Sequence, residues 1–196
     1  SNYQLASTTT TANANIDKAT LTLAAATDSK TYDGSATSAA AVVKTGLASG
    51  DSVISLSQSF GSKNVLGAGL STLSVDAGYT VNDGNGGGNY NITATGATGT
   101  INKANLTLAA ATDTKTYNGS AASATAVSKN GLAAGDSVTS LSQSFGSRNV
   151  LGAGLSTLSV DSGYNVNDGN SGGNYNVTTA TALGTINKAD LTLAAT

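Results

Sequence analysis

The residues best suited to chemistry lie in one loop that occurs twice. Val81-Asn82-Asp83-Gly84-Asn85-Gly86-Gly87-Gly88-Asn89 returns as residues 166–174, with Ser171 where the first loop has Gly86. Oxygen ligands spaced by glycine on a tight loop are what a hard cation such as Ca2+ requires, because glycine lets carbonyls and carboxylates converge. Asp83, Asn85, Asp168 and Asn170 are therefore the calcium candidates. One Asp per loop is little charge, so Asp51 or Asp76 would have to join it. The spacing also matches neither the EF-hand loop nor the glycine-rich β-roll repeat. The competing reading is a plain connecting loop, in which Gly and Asn serve through their tolerance of positive φ.

Asp33, in Lys30-Thr31-Tyr32-Asp33-Gly34, is a second acid to weigh, but its counterpart is Asn118. A reaction needing that carboxylate could not run in both copies, so the segment reads as a turn. Tyr32, Tyr79 and Tyr90, with Tyr117, Tyr164 and Tyr175, would make an aromatic platform for sugar if exposed; being nearly all the aromatic residues of each copy, they read first as core. The chain has no His, Cys or Glu, which removes the usual parts of most hydrolytic and redox mechanisms. No catalysis and no cofactor beyond the calcium candidates are expected. A net charge of -2 argues against nucleic acid, whose binding needs a basic face. No stretch is apolar for long enough to suggest membrane insertion.

These residues are positioned by a duplication. Residues 16–100 return as 101–185 at a fixed offset of 85, without insertion or deletion, and a third copy begins at Ile186. Units of this size fit small independent domains rather than solenoid repeats. Ala19-Thr20-Leu21-Thr22-Leu23 alternates as a half-buried strand, and six to eight short strands per copy follow. Ser38 to Val43 is the one segment where Ala clusters enough to suggest a short helix. Val53 should face inward and Ile54 outward, because Ile54 becomes Thr139 in the second copy. A last strand should run from Tyr90 through Ile101 toward the next copy. Between Ile101 and Leu106 no Gly, Pro or Ser supplies a hinge, so one module should pass almost directly into the next. The expected division is 1–18 as the terminal strand of a preceding repeat, 19–103 and 104–188 as complete modules, and 189–196 as the opening strand of a following repeat.

The series Ala19-Thr20-Leu21-Thr22-Leu23, Lys30-Thr31-Tyr32-Asp33-Gly34, Gly46-Leu47, Gly50-Asp51-Ser52-Val53, Asn64-Val65, Gly88-Asn89-Tyr90 and Ile101-Asn102-Lys103-Ala104 resembles the YDG-type repeat. That resemblance implies β-rich modules in tandem within large bacterial surface proteins, including filamentous-haemagglutinin-like adhesins, without known catalysis. The expected fold is all-β, with β-sandwich-like (Ig-like) modules joined end to end; a β-grasp-like module with one short helix is the alternative. The expected role is a structural stalk or spacer, secreted or at the bacterial cell surface, that holds a distal binding domain away from the cell. Its expected partners are neighbouring repeats, with a host or biofilm ligand engaged through other domains. The rival reading is a glycan- or matrix-binding module acting by avidity.

Overall fold

The structure, a computed structural model, describes residues 2–4, 6, 9 and 11–194. Among these residues there is no helix, and the chain forms two all-β modules with the same strand order. The first contains β1 (Ala19–Ala24), β2 (Ser29–Thr31), β3 (Val43–Thr45), β4 (Ser52–Ile54), β5 (Gln58–Phe60), β6 (Ser71–Val75), β7 (Thr80–Asn82), β8 (Tyr90–Thr95) and β9 (Ala97–Asn102). The second contains β10 (Ala104–Ala109), β11 (Thr114–Thr116), β12 (Ser128–Asn130), β13 (Ser137–Thr139), β14 (Gln143–Phe145), β15 (Ser156–Val160), β16 (Asn165–Asn167), β17 (Tyr175–Ala180) and β18 (Ala182–Asn187).

Each module holds three small sheets, in the first β3-β1-β8, β2-β9-β6-β5 and the ribbon β4-β7. β1 pairs in parallel with β8 from Ala19↔Tyr90 to Ala24↔Thr95, and β2 pairs in parallel with β9. The expected single strand from Tyr90 to Ile101 is thus two strands, β8 and β9, separated by Gly96 and belonging to different sheets. The break sits beside the irregular link between β1 and β2. Hydrogen bonds Ala25 N to Thr95 O and Thr100 N to Asp28 O bracket it, so two bent chains run side by side.

Ser38 to Val42 is irregular rather than helical. Ser38 Oγ donates to Asp28 Oδ2 at 2.6 Å, and the same carboxylate accepts the Ala39 N–H, which ties this segment to the β1–β2 link instead of to itself. Val53 is buried and Ile54 exposed, as the Ile54 to Thr139 difference implies. The described residues before Ala19 and after Asn187 form no strand, and residues 1, 5, 7, 8, 10, 195 and 196 of the expected flanking strands lie outside the described residues.

Alternation in β1 and β10 places Leu21, Leu23, Leu106 and Leu108 fully inside. Each module has one apolar group under this strand and a second around its Phe. In the first module Leu21, Leu23, Val42, Val53, Val81 and Tyr90 make the first group. The second group, with Tyr32, Phe60, Leu73 and Ile101, is continuous with Leu106, Leu108, Val138, Val166 and Tyr175 of the second module. Only Lys103 separates β9 from β10. The core therefore crosses the boundary between the modules.

Candidate functional site

At that boundary phenol, carboxylate, ammonium and amide side chains from the two modules meet. From the first module come Tyr32, just after β2, and the loop Lys63-Asn64-Val65 after β5. The Tyr32 N–H bonds Asn102 O at 2.8 Å, extending the β2–β9 ladder by one residue and fixing where the ring leaves the sheet. The second module contributes Asp136, before β13, and the loop from Asp168 to Asn174 that leads into Tyr175 of β17.

Asp136 is the centre of this arrangement, with its side chain only 2% exposed. Its Oδ2 accepts the hydroxyls of Tyr175 at 2.6 Å and Tyr32 at 2.9 Å, while Lys63 Nζ lies 3.6 Å from Oδ1. The two rings meet edge to face, with centroids 5.3 Å apart and planes at 81°. Lys63 Nζ also lies 5.8 Å from the Tyr32 ring centre. Burial, then the hydrogen bond to the Asp136 carboxylate, push both phenols above their ordinary value, and Lys63 offsets part of this at Tyr32. The result is a carboxylate held by two neutral phenols and one ammonium, drawn from both modules.

The glycine-rich loop supplies the second half of the contact. Asp168 Oδ1 accepts the N–H groups of Asn170 at 2.7 Å and Gly172 at 2.9 Å, and Oδ2 accepts that of Asn174 at 3.0 Å. Burial alone would raise its pKa, but these three donors outweigh burial and hold it below the usual 3.8. The loop so formed presents Asn174, which is fully buried. Its Oδ1 accepts the Val65 N–H at 2.8 Å, and its Nδ2 donates to Asn64 Oδ1 at 3.1 Å. One side-chain amide thus joins the modules through two bonds.

The calcium candidates fall in this loop and its twin. Asp83 repeats the pattern, accepting the N–H groups of Asn85 and Gly87 at 2.8 Å and of Asn89 at 3.1 Å; these donors, Gly87 first, lower its pKa. Asn85 and Asn170 turn their amides to Asn89 and Asn174 within the loop. Asp51 receives the Tyr90 hydroxyl, and Asp76 those of Ser57 and Ser59. Among the described residues no three acidic side chains converge on a common point. The carboxylate oxygens that a cation would need are directed at backbone N–H groups.

Asp33 accepts the Ser35 N–H at 2.9 Å, and Asn118 accepts that of Ser120 at 3.1 Å, so acid and amide build the same turn. Asp33 also pairs with Lys30 at 2.8 Å, whereas Lys115 bonds the carbonyls of Ser120 and Ala122. Of the tyrosines, Tyr32, Tyr90 and Tyr175 are buried, Tyr79 and Tyr164 are partly buried, and Tyr117 is 39% exposed.

Sequence reasoning missed Gln58, Gln143, Asn64 and Asn174. Gln58 is 1% exposed; its Oε1 accepts the Ala26 N–H at 2.7 Å and its Nε2 donates to Ala26 O at 2.8 Å, bridging β5 to the β1–β2 link. Gln143 does the same with Ala111. The available signal was recurrence: these amides return unchanged at the fixed offset, as the core leucines do.

A model of the YDG domain matches residues 17–98 and again 102–182. No curated protein matches the chain, and no solved structure does.

Proposed function

We propose a structural role for this chain, which belongs to the YDG domain family: its paired modules form a spacer segment of an exported bacterial adhesin and carry a distal binding domain away from the cell surface. The observation that supports this reading is the boundary between the modules. A hinge exposes little apolar surface and carries no buried polar contacts, whereas here an apolar group runs through the boundary and Asp136 and Asn174 bond across it. A buried carboxylate shared by both modules penalises any rotation that separates it from Tyr32, because the charge would be left short of donors. The modules behave as one body, which is what a spacer needs and a flexible tether lacks.

Burial of Tyr32, Tyr90 and Tyr175, with their hydroxyls engaged, weighs against an aromatic sugar platform. Among the described residues no helix is long and apolar enough to cross a membrane. The partners in this reading are neighbouring repeats rather than small molecules.

Small-angle X-ray scattering tests it. Each module should have a radius of gyration of about 12 Å, and the pair should give one sharp intermodule distance, unchanged by calcium or chelator. A distance distribution requiring many relative orientations would overturn the spacer reading.

A further inference from the structure

The boundary joins two different faces, and both recur at the ends of the pair. Tyr32, Lys63, Asn64 and Val65 correspond to Tyr117, Arg148, Asn149 and Val150 of the second module; Asp136, Asp168, Asn174 and Tyr175 correspond to Asp51, Asp83, Asn89 and Tyr90 of the first. Every residue type is kept, except that Lys63 becomes Arg148, which retains the charge. What differs is cover. Tyr32 is 3% exposed and Tyr117 39%. Asn64 is partly and Asn174 fully buried, whereas Asn149 and Asn89 are exposed. A Cβ on Gly34 would stand 3.0 Å from Ala134 O across the boundary, but one on Gly119 would meet nothing.

A groove beside Tyr117, Asn149 and Val150 has residues 188–191 as its other wall. Ala189-Asp190-Leu191-Thr192-Leu193 repeats Ala104-Asn105-Leu106-Thr107-Leu108 with one change. Leu191 and Leu193 are 83% and 85% exposed, while Leu106 and Leu108 are 0% exposed under the sheet they belong to. A polar face and two bare leucines stand side by side. A single docked module would cover both.

We propose that the Tyr117 face docks a further YDG module, with residues 189–194 as that module's first strand. Tyr117 and Arg148 then engage its counterpart of Asp136, and Asn149 and Val150 its counterpart of Asn174, as their equivalents do at the internal boundary. The guanidinium of Arg148 is better suited than an ammonium to a buried carboxylate, because its planar fork matches the two oxygens. Since the two faces differ, each docking event leaves the same face free at the new end, and the contact is open-ended rather than closing into a dimer. This inference rests on the spacer reading.

The test is tyrosine nitration mapped by mass spectrometry, comparing the 196-residue chain with one extended after Thr196 by a second copy of residues 112–187 that carries Tyr117→Phe. In the unextended chain Tyr3 and Tyr117 should react and Tyr32 should not. In the extended chain Tyr117 should react at least roughly tenfold more slowly, protected until the contact opens. Unchanged reactivity of Tyr117, with the pooled Tyr175 peptides still protected, would show a folded but undocked module and overturn the proposal. Reactive Tyr175 peptides would overturn it as well, because residues 189–194 would then fail as a first strand. A reactive Tyr32 in the unextended chain would instead overturn the spacer reading itself.

Discussion

The hydroxyl of Tyr32 donates to the carboxylate of Asp136, 104 residues further along the chain, at 2.9 Å. That bond crosses the boundary between the modules, beside the bonds that Asn174 makes to Val65 and Asn64. Tyr32→Phe removes it without changing the shape of the ring, and a hydrogen bond to a buried charge is worth about 1.5–3 kcal/mol. Tyr117→Phe, at the exposed equivalent, should change stability by less than about 0.5 kcal/mol. Urea unfolding of both variants checks the contrast, and equal effects would contradict the boundary described above.

Gln58→Leu keeps the volume of a buried side chain but leaves the N–H and C=O of Ala26 without the amide that now pairs both. The expected loss is at least about 2 kcal/mol, the cost of orphaned backbone groups. Gln143→Leu should behave alike at Ala111. Hydrogen exchange at these two alanines should accelerate selectively; a change spread evenly over the module would contradict a local clamp.

At low pH the carboxylates that accept N–H and hydroxyl donors should lose their contribution. Asp28, held low first by Ser38, Asp33, Asp83 and Asp168 all titrate below 3.8 in the folded chain. A depressed folded value gives stability that is present above the unfolded value and disappears as pH falls through the folded one. Stability should therefore hold from neutrality to about pH 5 and decline below about pH 4. Asp168→Asn, which sets an amide N–H against that of Asn174, should lower stability at neutral pH and flatten the acid decline. Thermal melts across pH would show both.

At high pH the sign reverses. Burial and Asp136 raise the phenols of Tyr32 and Tyr175 above 10.0, so the folded chain prefers them protonated. Their contribution is complete below the unfolded value and is lost as pH rises past 10.0 toward the higher folded values. Tyr175→Phe should reduce the steepness of alkaline unfolding. A variant as alkali-sensitive as the parent would remove the phenol–carboxylate cluster as the cause.

Gly34 and Gly119 offer a matched pair. Both have positive φ, at 84° and 79°, so alanine is strained at either by a similar amount. Only at Gly34 does the added methyl also press on Ala134 O, 3.0 Å away. Gly34→Ala should therefore be the more destabilising, by about 1 kcal/mol or more. Calorimetry on the two variants decides it.

The parts of this molecule that depend on local pattern were readable before the fold was known. Alternation in Thr20-Leu21-Thr22-Leu23 gave β1 and its buried face, and the Ile54 to Thr139 difference gave the outward side of β4. The direct passage from β9 to β10 followed from the lack of Gly, Pro and Ser in Asn102-Lys103-Ala104-Asn105. Long-range pairing left no such trace. Nothing near Tyr90 announces that β8 lies parallel to β1, some 70 residues away, because parallel partners share no turn. Asp136 looks like any loop acid in sequence; its role arises only when Tyr32 and Tyr175 arrive from different modules. Asp168 invited a metal reading because oxygen-rich glycine loops serve cations and their own backbone N–H groups equally well.

The parallel pairing of β1 with β8 has one further consequence. Tension entering at Ala19 and leaving at Asn102 pulls neighbouring strands in opposite directions along their length, since the module begins on β1 and ends just beyond β8 on β9. Parallel ladders space their hydrogen bonds evenly, so all the rungs are sheared together rather than unzipped one after another. The same arrangement recurs in β10 and β17, and the pair is a series of two shear clamps.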